Sequence, residues 1–77
     1  MNKKKELQNL NQLGRVVYAN GETSTSLAEH FGTTPALVSR QLNSKVTKVH
    51  NLKISTLKRY AKALNMDLTQ LLVQLGV

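Results

Sequence analysis

The chain has 77 residues, with 11 Lys and Arg against 4 Asp and Glu for a formal charge of +7, and no cysteine. That length, near the lower limit for a fold held by packing alone, predicts one domain over residues 1–77, and the absence of cysteine rules out a disulfide framework. The imidazoles His30 and His50 make no zinc ligand set, and no apolar run approaches the roughly 18 residues that span a bilayer, so neither a metal nor a membrane partner is expected.

Strand signals are nearly absent, and the chain reads as short helices separated by breakers. Residues Lys3 to Ala19 carry Leu7, Leu10, Leu13 and Val17 at three- and four-residue steps. A first helix is expected there, stopped by the left-handed signal Asn20-Gly21. Thr23 is placed to cap a second helix from Ser24 to about His30, with Leu27 and Phe31 inward and Gly32 ending it. Thr34 can cap a third helix, Pro35 to Asn43, in which Pro35 takes the first position, where a missing N–H costs nothing.

At about 100° per residue, Val38 and Leu42 of that third helix fall on one side, while Ala36, Ser39, Arg40 and Asn43 cluster on the other. One face is buried and one presented. Leu57, Tyr60, Ala61 and Leu64 form the inward stripe of a fourth helix that leaves Lys58, Arg59 and Lys62 outside. Asp67 is the cap candidate for a fifth, in which Leu68, Leu71, Leu72 and Leu75 point inward before Gly76 ends it. Between the third and fourth helices, Asn43 to Lys53 is polar and basic, and its Val46, Val49 and Leu52 fit either pinned loop residues or a short extra strand.

The distribution of charge says more than its sum. No Asp or Glu occurs between His30 and Met66, whereas Arg40, Lys45, Lys48, Lys53, Lys58, Arg59 and Lys62 all do. A one-sign stretch of this kind favours a polyanionic partner, nucleic acid first. Lys45, Lys48, Lys58 and Arg59 are then candidates for phosphate contact. Catalysis would require a nucleophile with a base, or paired carboxylates, yet Glu6, Glu22, Glu29 and Asp67 are dispersed. No enzyme is expected, and no catalytic residue or cofactor. With no secretory stretch after the N-terminal Met-Asn-Lys-Lys-Lys-Glu, a cytoplasmic protein is expected.

Ser24 to Leu42 carries what two short helices crossing steeply need: small Ala28 for close approach, Gly32 for a tight left-handed turn, and Val38 as the inward anchor. The expectation is an all-α fold built around a helix-turn-helix. At this point the sequence resembles the Cro and phage-repressor type of helix-turn-helix, also called the xenobiotic-response-element type. The matching residues are Leu27-Ala28-Glu29-His30-Phe31-Gly32-Thr33-Thr34, Val38-Ser39-Arg40, the run Leu57 to Asn65, and Leu71-Leu72. The resemblance implies a compact five-helix domain, double-stranded DNA binding through the third helix, and a twofold dimer.

By position the resemblance also implies phosphate contacts at Ser24 and Thr34 and base-facing places at Ala36 and Arg40. Because Pro35 and Ala36 carry no hydrogen-bonding side chain, polar readout falls to Ser39, Arg40 and Asn43. The planar fork of Arg40 suits guanine O6 and N7, and Ala36 suits a thymine methyl. Two features depart from the family pattern. Gln41 stands where the family usually has an apolar residue, and the connection after the third helix is longer than usual.

These readings together predict a transcriptional regulator, most simply a repressor of phage, plasmid or mobile-element type that binds a near-palindromic operator as a homodimer. The alternative is an antitoxin that binds a toxin and autoregulates its operon, since the run Ile54 to Leu64 also looks like helix-turn-helix antitoxins. A protein partner would then be a toxin or an antirepressor. Val73 and Val77, beside leucines but off the inward stripe, point to self-association, whereas Leu37 reads as a lone surface apolar residue.

Overall fold

Side-chain caps set most of the helix starts. Asn11, Thr23 and Thr34 each hold extended backbone and accept a hydrogen bond from an N–H two or three residues on, which commits the following segment to helix. The structure, a computed structural model, describes residues 9–76. Its helices are α1 Gln12–Ala19, α2 Ser24–Phe31, α3 Pro35–Leu42, α4 Ile54–Ala63 and α5 Leu68–Leu75, with one 3-10 turn at Val49–Asn51 between α3 and α4. Among the described residues there is no strand, only an isolated antiparallel bridge between Leu10 and Asn43.

The expected all-helical fold with a helix-turn-helix is present. Gly32 closes α2 with φ +69°, and the Thr33 N–H reaches back to the Ala28 carbonyl at 2.9 Å, the doubled-back ending that glycine makes cheap. Thr23 and Ser26 form a reciprocal capping box, and Gln70 reaches back to the Asp67 N–H at 2.9 Å. Asn65 turns the chain after α4 at φ +59°, a conformation asparagine tolerates better than most residues.

Each helix contributes its apolar stripe to one core. Leu13 and Val17 come from α1, Leu27 and Ala28 from α2, Val38 and Leu42 from α3, Leu57, Tyr60 and Ala61 from α4, and Leu71 and Leu75 from α5, all fully or almost fully buried. Burying a side chain of leucine size is worth about 1.5–3 kcal/mol, so these anchors hold a short chain without covalent staples. Phe31, Leu68 and Leu72 pack against this core half-buried.

Two expectations need correction. The first helix does not run back through Leu10: α1 begins at Gln12, because Asn11 adopts extended backbone and pairs instead with the end of α3. Leu10 fits the helical spacing yet reaches the core from the non-helical lead-in, where it is half-buried. The earlier part of that expected helix, with Leu7, lies outside the described residues, as does Val77. The third helix ends at Leu42 rather than Asn43, which has left helical geometry at φ −92°, ψ +125°. Of the two readings open for the connection 43–53, the structure has the loop, with no strand in it. Val49 and Leu52 are half-buried against the core around the 3-10 turn, whereas Val46 stays 54 % exposed.

Candidate nucleic-acid interface

The α3 helix is held from behind. The buried Asn11 side chain donates from Nδ2 to the carbonyls of Gln41 (2.8 Å) and Thr47 (3.1 Å) and accepts the Gly14 N–H at 2.8 Å. Its own N–H donates to the Leu42 carbonyl at 2.8 Å. One asparagine thereby caps α1, satisfies the end of α3 and fixes the following turn. Gly14 makes this approach possible: a Cβ there would stand 2.7 Å from Leu10 Cδ2 and 2.8 Å from the Leu42 carbonyl oxygen. An isolated glycine inside a helical pattern was the available sequence signal for such a contact.

Gln41, out of place in the family pattern, finds its reason in Tyr60. The phenol of Tyr60, buried in α4, donates to Gln41 Oε1 at 2.6 Å. Burial pushes the Tyr60 hydroxyl up to about 12, partly opposed by the neighbouring Arg59 cation, so at neutral pH it is fully a donor. Phe31 stands edge-on to Tyr60 with ring centroids 5.1 Å apart, and the Arg59 guanidinium lies over the Phe31 ring at 5.6 Å. This chain of contacts joins the ends of α2 and α3 to α4 and orients Arg59.

With its back fixed, α3 presents Ala36, Ser39 and Arg40 to solvent. Ser39 donates to the Ser24 hydroxyl at 2.9 Å, tying the face of α3 to the start of α2. The Ser24 hydroxyl is therefore sheltered, and what the start of α2 offers outward is its first-turn N–H groups. Thr34 is exposed at the start of α3 and accepts the Leu37 N–H at 3.4 Å. Asn43 lies just past the end of α3, where its Oδ1 accepts the Lys45 N–H at 2.7 Å and its backbone bridges Leu10.

Lys45, Lys48, Lys58 and Arg59 are all exposed. The structure brings Arg40 and Arg59 onto one cleft, shared with Phe31, Thr33, Leu37, Val46 and Thr47. Lys58 borders a different cleft, between α4 and α5, with Lys62, Met66 and Asp67. The cleft at Arg40 joins α3, the turn after it and α4 into one surface, and sequence reasoning missed that because the turn's conformation was open. Among the described residues there is no cluster of His, Cys, Asp and Glu that could hold a metal, and no helix is long and apolar enough to cross a membrane.

A helix-turn-helix whose second helix carries an exposed guanidinium, within a stretch free of acids from Phe31 to Met66, has the features of a DNA-binding domain. Residues 12–74 match the Cro/C1-type HTH DNA-binding domain, and the chain belongs to that family. Comparison with curated proteins and with solved structures found no match.

Proposed function

We propose that this DNA-binding domain acts as a transcriptional repressor of phage, plasmid or mobile-element type, binding a near-palindromic operator as a homodimer. The observation that carries the proposal is α3: anchored inward by Val38 and Leu42, it leaves Ala36, Ser39 and Arg40 outward beside exposed Lys45, Lys48 and Arg59. In this reading Arg40 donates both arms of its fork to a guanine, Ala36 meets a thymine methyl, and Ser39 adds a polar contact. Ser24, through the N-terminal turn of α2, and Thr34, Lys45, Lys48, Lys58 and Arg59 grip phosphates and set register. Asn43, whose Oδ1 is engaged in its own turn, offers a base its amide N–H groups.

The dimer is supported by Val73, which is 73 % exposed on α5, and by the gain a twofold arrangement brings in phosphate contacts. In vitro selection of bound duplexes tests the whole proposal, because it yields the site, its symmetry and the half-site spacing together. The expected product is an inverted repeat containing a guanine whose selection depends on Arg40. Recovery of no preferred duplex overturns the proposal, and a stoichiometric toxin co-purifying with the chain would turn it toward the antitoxin reading.

A further inference from the structure

Among the described residues four large apolar side chains are strongly exposed, and two of them, Leu37 (55 %) and Val46 (54 %), line the same cleft as Arg40. Leu37 stands on α3 at about 60° around the helix axis from Arg40, on the side facing Arg59 and away from Ser39. Val46 belongs to the connection after α3, but that connection does not hang free at this point. The Val46 and Thr47 N–H groups donate to the Asn43 carbonyl at 3.2 and 2.9 Å, Thr47 Oγ1 donates to the Arg40 carbonyl at 2.9 Å, and the Thr47 carbonyl accepts from Asn11 Nδ2 at 3.1 Å. The backbone at Val46 is thus held against the end of α3.

Resting on the DNA-binding reading above, we propose that Leu37 and Val46 form an apolar seat for thymine C5-methyl groups beside the base pair that Arg40 reads, making the 44–47 turn an extension of the reading surface. The surroundings select this occupant. Arg40 and Arg59 line the cleft with the two residues, Lys45 precedes Val46 in the chain, no acid occurs from Phe31 to Met66, and Thr33 and Thr47 complete the lining. A positive rim around a small apolar floor complements the major groove, where thymine carries the one apolar group on a base edge and phosphates line both sides.

The test uses the duplex recovered by selection, resynthesised with deoxyuridine replacing thymidine one position at a time, which removes a single methyl and leaves the protein untouched. Burial of one such carbon is worth about fourfold in affinity, so a loss of about fourfold is expected at one or two A·T positions per half-site next to the Arg40-dependent guanine. Leu37→Ala or Val46→Ala, both at exposed positions, should abolish that sensitivity while the guanine preference remains. A preferred duplex indifferent to uracil, or a uracil penalty unchanged in both variants, overturns this inference and leaves the regulator reading standing. Absence of any preferred duplex overturns both.

Discussion

Replacing Gly14 by alanine sets two effects against each other, and the structure decides the sign. In a helix interior alanine is favoured over glycine by about 1 kcal/mol. Against this, the new Cβ would stand 2.7 Å from Leu10 Cδ2 and 2.8 Å from the Leu42 carbonyl oxygen. The leucine methyl can swing aside, but the carbonyl is backbone and already accepts the Asn11 N–H at 2.8 Å. Overpacking against an immobile neighbour lies toward the upper end of the 1–3 kcal/mol range, at about 3 kcal/mol, which leaves a net loss of about 2 kcal/mol. For a domain of this size that corresponds to a fall in Tm of about 8–16 °C, followed by far-ultraviolet circular dichroism on heating. Gly21→Ala is the comparison: nothing lies within 4 Å of its Cβ, so only the strain of φ +81° remains, about 1–2 kcal/mol. An unchanged or raised Tm for Gly14→Ala would refute the reasoning, since it would mean that α1 and the end of α3 separate freely.

Arg40→Ala should weaken the selected operator by about 10- to 100-fold and relax preference at one position per half-site, as read by competition with single-base variants. Lys45→Ala and Arg59→Ala should each lower affinity for all duplexes alike and reduce the slope of log K against log salt by about 1. Tyr60→Phe leaves Gln41 Oε1 without its donor and should cost about 0.5–1.5 kcal/mol in urea unfolding at neutral pH. Because burial raises the Tyr60 hydroxyl from 10.0 to about 12, its stabilising contribution is complete below pH 10 and is lost as pH climbs toward 12. The stability difference between the parent chain and Tyr60→Phe should therefore shrink across that window, and a difference that stays constant would remove Tyr60 as the titrating group.

Much of the architecture was legible because it is written in short-range chemistry. The caps Thr23, Thr34 and Asp67, the turn at Gly32 and the inward stripe of α4 each depend on residues within a few positions of one another, and the structure has all of them. The start of α1 was not legible. Leu10 keeps helical spacing with Leu13 and Val17, and what removes it from the helix is Asn11 bonding to carbonyls 30 and 36 residues away. The same distance hid the partner of Gln41, since Tyr60 is 19 residues further on. Asn43 shows the limit of angular reasoning: its helix angle put it on the outer face, but the helix ends before it and its side chain closes the next turn. At Val46 the sequence left pinned loop and strand equally open, because turn hydrogen bonds leave no periodic trace.

The clamp behind α3 also bears on how such a domain can change its target. Asn11, Gly14, Val38, Leu42 and the pair Gln41–Tyr60 hold the helix through atoms that point away from Ala36 and Arg40. Substitutions at Ala36 and Arg40 therefore leave these holding contacts in place, whereas Ser39 also ties α3 to Ser24, and a change in the clamp moves the outer face of α3 as a unit. A panel of variants randomised at 36, 37, 40 and 46 should remain folded as a group and diverge in the duplexes it retains.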